Sequence, residues 1–181
     1  MKAWICFQDE SGISQRPFVQ RTWAPRGQTP VLRAPCSWKR ISVSAALAYR
    51  WDGKRTSLYF DFTPGSYDAN SLIAFLTKLH RHRRGRKTIL IWDGLPAHKS
   101  RLMQSYLATQ RHWLIVERLP AYAPDLNPVE PLWGNLKRKE LANFCHEELR
   151  ETVRIAKRGL QRIQHHRSLA NAFLKHAKLF F

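Results

Sequence analysis

Residues Thr88–Ser100 read TILIWDGLPAHKS. The apolar run from Thr88 to Trp92 halts at Asp93-Gly94, the pattern of a buried strand that ends at a polar turn. The same chain holds 31 Lys+Arg against 13 Asp+Glu, a formal net charge of +18. A carboxylate at a sheltered strand end of so basic a protein calls for a positive partner, and a divalent cation is one.

Downstream, the pattern gives a helix from about Ser100 to Gln110 and a strand from Trp113 to Glu117 (WLIVE). The proline-rich loop RLPAYAPDLNP then leads into a helix near Val129 to Asn143. Upstream lies a helix from about Asp68 to Arg84, with Leu72, Phe75, Leu76 and Leu79 at the i, i+3, i+4, i+7 spacing of one apolar stripe. Ile41–Tyr49 and Thr56–Phe62 read as two strands joined at Trp51-Asp52-Gly53-Lys54. Ala3–Gln8 reads as a first strand stopping at the turn Asp9-Glu10-Ser11-Gly12. Three early strands followed by helix, strand, helix, strand, helix predict an α/β fold, a mixed five-stranded sheet with helices on its faces.

Residues 13–40 form an irregular arm punctuated by five prolines and glycines, within which FVQRTW and TPVLRA are expected to pair as a small hairpin. Arg16, Arg21, Arg26, Arg33 and Arg40 with Trp23 and Trp38 line it. Such a mixture grips a phosphate backbone and stacks on bases, or it simply covers a sheet edge. The exit of the Asp68–Arg84 helix, HRHRRGRK, has two readings as well. It contacts DNA, or its cations complement the helix C-terminus before the terminator Gly85. Residues 146–181 are basic and helical, with Leu149, Val153, Ala156, Leu160 and Ile163 at heptad-like spacing. This tail packs on the sheet, binds DNA, or dimerises through its stripe and Leu179-Phe180-Phe181. The organisation expected is therefore one main α/β domain over residues 1–145 and a helical extension over 146–181.

A surplus of Lys and Arg, with a pI near 10.7, implies a polyanionic partner, and nucleic acid comes first because phosphate neutralisation releases counterions. Cys6, Cys36 and Cys145 show no CxxC pair and no metal-ligand spacing, so they read as free thiols of a reducing compartment. With no signal peptide and no membrane-length apolar segment, the expectation is a soluble cytoplasmic protein, nucleoid-associated in a bacterium.

Asp9 follows the first strand and Asp93 the fourth. Neighbouring strands would bring both into one crevice across 83 intervening residues, at the strand ends where α/β sheets hold their chemistry. Glu130, at the start of the helix after the proline loop, reaches back to that crevice. Two Mg²⁺ ions about 3.5–4 Å apart activate an attacking oxygen and stabilise a leaving one in phosphoryl transfer. Mg²⁺ takes oxygen ligands and keeps several waters, so a few carboxylates suffice. Each acid also has a purely structural reading. Asp9 could make an Asx-type turn with Ser11-Gly12, and Asp93 could start a turn with Gly94. In Asn127-Pro128-Val129-Glu130, Glu130 could sit at N3 of a capping box on Asn127. Asp125 is a rival third ligand.

FQDESGI, TWAPRGQTP, ILIWDGLPAHKS and LPAYAPDLNPVEPLWGNLKR, taken together and in this order, resemble the successive blocks of DDE transposases of the mariner-related insertion-sequence group. The resemblance spans about residues 4 to 145. It implies an RNase H-like fold with catalytic, metal-binding acids at Asp9, Asp93 and Glu130, the last two separated by 36 residues. Two Mg²⁺ ions, replaceable by Mn²⁺, would support nicking at transposon ends and transfer of a 3′-OH into target DNA. Glu130 then becomes both cap-positioned and a ligand, and Asp125 structural. His98 matches the family's His and would contact a scissile phosphate, orient a carboxylate, or serve structure alone. Arg26, Lys137 and Arg138 are auxiliary candidates for DNA phosphates, a solvated face being the alternative for the last two. Relatives often carry Asn directly after the second Asp, so Gly94 inherits no side-chain role.

Full-length relatives place helix-turn-helix modules before the catalytic domain, whereas here the first strand begins at Ala3. The chain is accordingly expected to be a catalytic half. It would be joined or fused to an upstream recognition polypeptide, or be a remnant or fragment; a homodimer is a further partner to test. Two other readings share these residues: an RNase H-like nuclease without strand transfer, and a catalytically inactive DNA-binding remnant.

Overall fold

The computed structural model describes residues 2–34, 37, 39–120 and 123–179. Cys36, Trp38 and the Phe180-Phe181 end lie outside the described residues. Five strands, β1 (Trp4–Ser14), β2 (Arg40–Arg50), β3 (Thr56–Pro64), β4 (Thr88–Trp92) and β5 (Leu114–Arg118), form one sheet in the order β3-β2-β1-β4-β5. β2 runs antiparallel to both of its neighbours, while β1, β4 and β5 run parallel. This is the mixed five-stranded sheet that the element order predicted, and the RNase H-like arrangement that the resemblance implied.

Side chains alternate across β1 and β2 as strand geometry requires. Phe7, Ile13, Val43, Ala45, Leu47 and Tyr49 face one core. Trp4, Cys6, Ala46 and Ala48 face the other. Over the second core lie α1 (Ala69–His82), which presents Leu72, Phe75, Leu76 and Leu79, and α3 (Arg101–Thr109), which presents Met103. Asp68 caps α1 reciprocally with Ser71. A four-residue helix, α2 (Pro96–Lys99), precedes α3.

The first core is closed by α4 (Val129–Lys139), α5 (Leu149–His165) and α6 (Arg167–His176). Ala156, Leu160 and Ile163 of the C-terminal stripe are buried, and Tyr49 donates its hydroxyl to the carbonyl of Ala170 at 2.7 Å. α5 meets α4 at Gly159. A Cβ there would stand 2.6 Å from Leu136 Cδ1 and 2.8 Å from Glu140 Cγ. Arg162 reinforces the contact, donating to Glu140 at 2.6 Å and to Asn135 at 2.6 Å. Among the described residues, no helix is long and apolar enough to cross a membrane, and Cys6 and Cys145 are free thiols.

Three local expectations change. β1 does not stop at Gln8: β2 pairs with it residue by residue as far as Ser14, and this ladder overrides the turn propensity of Asp9-Glu10-Ser11-Gly12. The hairpin expected in the arm is absent among the described residues. Phe18 makes an isolated parallel bridge to Ala142, and Asn143 exchanges hydrogen bonds with Gln20, so this part of the arm is held by the chain after α4 rather than by itself. α4 ends at Lys139, four residues early, and Asn143 takes a positive φ of 54°.

Candidate active site

β1 pairs with β4 only through Phe7↔Ile91. Two residues further along each strand come Asp9 and Asp93, which the two-residue alternation puts on the same face, beyond the last rung. Adjacent strands thus bring them together, as the crevice required. From the layer above, α4 contributes Glu130 and Trp133, three positions apart and hence neighbours on one helix surface. Trp133 donates its indole N–H to Asp9 Oδ2 at 2.8 Å.

Asp9, Asp93 and Glu130 line one cleft of about 510 Å³, together with Lys99, Arg118 and Asn127. Burial pushes the Asp9 carboxyl up to about 7; the Trp133 N–H opposes this, while the charges of Glu130 and Glu10 add to it. Asp93 moves the other way. Its hydrogen bond to His98 holds it below the ordinary carboxylate range, assisted by the Leu95 N–H and by Lys99. Asp93 Oδ1 accepts from Leu95 N at 3.1 Å, so the turn role expected for Asp93 is realised without removing the carboxylate from the cleft. The turn role for Asp9 is not, because Asp9 lies within β1.

His98 is only 1% exposed and stacks on Trp92 with ring centroids 3.9 Å apart. Its Nδ1 lies 3.0 Å from Asp93 Oδ1, and its Nε2 lies 3.8 Å from Glu10 Oε1. Burial alone would lower its pKa, but the bond to Asp93 and the nearby Glu10 carboxylate outweigh burial and raise it to about 9. His98 does not line the cleft. Of its three readings, the geometry is that of a carboxylate-orienting group; its burial leaves no surface for a phosphate.

The capping box at α4 does not form. Pro128 occupies the N-cap position without a side-chain cap, and Asn127 Oδ1 accepts from Val129 N at 3.1 Å. The preceding 3₁₀ turn, Pro124–Leu126, makes Asn127 its terminus and shifts the helix start by one residue. Glu130 is thereby left exposed to the cleft rather than folded back on the backbone. Asp125 is exposed and does not line the cleft. Neither do Arg26, which is exposed on the arm, nor Lys137 and Arg138. Lys137 borders a separate cavity beside Gly12 and Phe18, and Arg138 folds over Gly134.

Lys99, Arg118 and Trp133 were not singled out from the sequence for this cleft. Lys99 had a signal, standing directly after His98 in the block that carries Asp93. Its Nζ lies 3.2 Å from where a Cβ on Gly94 would be, so the ammonium takes the space that a side chain at 94 would fill.

Among the described residues, no group of three His, Cys, Asp or Glu side chains stands close enough to form a ready-made metal cage. The donor set still fits Mg²⁺, which binds through one or two carboxylates plus substrate phosphate and retains waters. The raised Asp9 pKa, due first to burial and then to the charges of Glu130 and Glu10, marks a carboxylate whose ionised form is poorly compensated.

The chain resembles several solved structures over 98% of its length. They include the Mos1 transposase paired-end complex with left transposon end (TM-score 0.57, 20% identity) and the mariner Mos1 paired end complex with Mg (0.56, 20%). A third is the catalytic domain of Mos1 mariner transposase (0.51, 17%). It spans 56% of the Mos1 chain in each of the two complexes and 83% of the catalytic-domain chain. No curated protein sequence matches. The family model of the DDE superfamily endonucleases matches residues 4–152. With that match running from the first strand into α5, the chain belongs to the DDE superfamily of endonucleases.

Proposed function

We propose that this chain is the catalytic domain of a DNA transposase, carrying out Mg²⁺-dependent strand cleavage and transfer of a 3′-OH into target DNA. The observation that carries the reading is the convergence of Asp9, Asp93 and Glu130, from two strands and a helix, on one cleft that also holds Lys99 and Arg118. Membership of the DDE endonucleases and the likeness to transposase structures bound to transposon ends support it.

In this reading the three acids supply the oxygen ligands for divalent metal. Bound there, the ions would lower the pKa of an attacking hydroxyl and stabilise the leaving oxygen. Trp133 keeps the Asp9 carboxylate aimed into the cleft, and His98 fixes Asp93 from the buried side. Lys99 and Arg118 neutralise a phosphodiester entering between them. No side-chain covalent intermediate is required.

The test is Mg²⁺-dependent nicking of duplex DNA and joining of a pre-cut 3′-OH end to a target plasmid, for the wild type and for Asp93→Asn. Both activities are expected in the wild type and neither in the variant, with DNA binding retained. Undiminished cleavage by Asp93→Asn would defeat the assignment of the acids. Hydrolysis without joining would replace it by a nuclease. Salt-sensitive DNA binding with no metal-dependent chemistry would leave a DNA-binding remnant.

A further inference from the structure

At the opposite end of the sheet from the acids, the starts of β1 and β3 open into a second cavity of about 540 Å³. It is lined by Lys54, Arg55, Arg83, Arg84, Arg86 and Arg167, and no carboxylate is among its lining residues. The two cavities share no residue. The five residues of β4 between them correspond to about 16 Å of extended chain.

Arg83 is the informative member. It is 3% exposed, and neither Nε nor Nη2 has a hydrogen-bond partner. Its Cζ lies 3.8 Å from the centre of the Trp4 ring. That stacking holds the plane of the guanidinium but satisfies none of its in-plane N–H groups. The α1 C-terminus accounts for cations at His80, Arg81 and His82, not for a buried guanidinium with two unused donor atoms. A buried charge ordinarily has a counter-charge and hydrogen bonds. Here the charged groups lining the cavity beside it are all further cations, among neutral Thr56, Ser57 and Gln164.

We propose that this cavity is a phosphate site for the DNA backbone, distinct from the catalytic cleft, with Arg83 as its buried floor. The planar fork of a guanidinium matches phosphate oxygens. Lys54, Arg55, Arg84 and Arg86 are exposed around the mouth, so successive phosphates of a polymer have partners where a single small anion would engage only the floor. The choice of DNA rests on the proposed function; the anion chemistry does not.

Two measurements test it on the intact chain. In ¹⁵N-labelled protein, the Arg83 Nε–H resonance, identified by its proximity to the Trp4 ring, is followed during titration with inorganic phosphate and, separately, with a duplex of about one to two turns. It is expected to shift with both, and at far lower concentration with the duplex. In parallel, Arg55→Gln/Arg86→Gln, both on exposed positions, is expected to reduce the slope of log affinity against log salt by about 2. No Arg83 shift with either ligand overturns the site. A shift with inorganic phosphate alone means a free-anion site and overturns the DNA assignment, as does an unchanged salt slope in the double variant. Loss of cleavage in Asp93→Asn is read separately. The cavity can therefore fail while the proposed function stands, or the reverse.

Discussion

The indole N–H of Trp133 donates to Asp9 Oδ2 at 2.8 Å, tying together residues 124 positions apart. It is the only side-chain hydrogen bond to the Asp9 carboxylate among the described residues, and it pulls against the burial that raises that carboxyl to about 7. In the proposed function Asp9 is a metal ligand, and groups that orient such a ligand from behind are worth about 10–100-fold in metal affinity or activity.

Trp133→Phe keeps an aromatic ring in the core but removes the donor. Metal-dependent cleavage is expected to fall about 10–100-fold, with the circular dichroism spectrum retained. Mn²⁺ affinity measured by titration should weaken in step. Cleavage equal to wild type would show that Asp9 is held without the indole.

Asp9 predicts an unusual dependence of stability on pH. Its folded pKa of about 7 lies above the ordinary carboxylate value of 3.8. The folded state therefore binds the extra proton between those values, and its stability falls as pH rises from about 4 to about 7. Asp9→Asn, which keeps an acceptor for Trp133, is expected to stabilise the metal-free protein above pH 7 by a margin on the order of a few kcal/mol. The difference should vanish near pH 4. Urea titrations at pH 4.5 and 8 in the presence of chelator measure it; equal stabilities at pH 8 would contradict the burial of this charge.

His98 acts in the window above. With a folded pKa of about 9 against an ordinary 6.5, its bond to Asp93 and its attraction to the nearby Glu10 carboxylate stabilise the fold fully below pH 6.5. That contribution is lost as pH climbs through 9. In His98→Gln the decline in melting temperature between pH 6.5 and 9 should flatten, and cleavage should drop about 10–100-fold as Asp93 loses its anchor. DNA affinity is expected to hold, because His98 does not line the cleft.

Gly159→Ala tests how the helix carrying Glu130 is seated. A Cβ at 159 meets Leu136 Cδ1 at 2.6 Å and Glu140 Cγ at 2.8 Å, so α5 must back away from α4. The gain in helix propensity, about 1 kcal/mol, is opposed by overpacking of about 1–3 kcal/mol. Net destabilisation in chemical denaturation is expected, with reduced cleavage even below the melting transition. A more stable variant would mean that the side chains of Leu136 and Glu140 swing aside freely.

The elements that could be read from the sequence were those whose periodicity matched their burial. Thr88–Trp92 has the same limits in both, and all four stripe residues of α1 are buried. β1 was cut short because Asp9-Glu10-Ser11-Gly12 carries turn chemistry. Only the facing residues of β2, 26 to 36 positions away, show that the ladder continues. The three acids were legible through their block pattern. Their supports were not: Trp133 reads as one more apolar residue of α4, and nothing local to it points at Asp9. Lys99 stands in the block that carries Asp93, but its position over Gly94 depends on how α2 follows the end of β4.

β1 outlasts its partner on one flank: past Phe7 it keeps β2 but has no rung to β4. The hollow holding Asp9 is thus a notch in the sheet, floored by a strand whose course is set by its antiparallel neighbour. Remodelling the surrounding loops, the usual route to new specificity, would reshape the walls while leaving that floor in register. The position of Asp9 and the shape of the cleft around it can therefore change independently in this architecture.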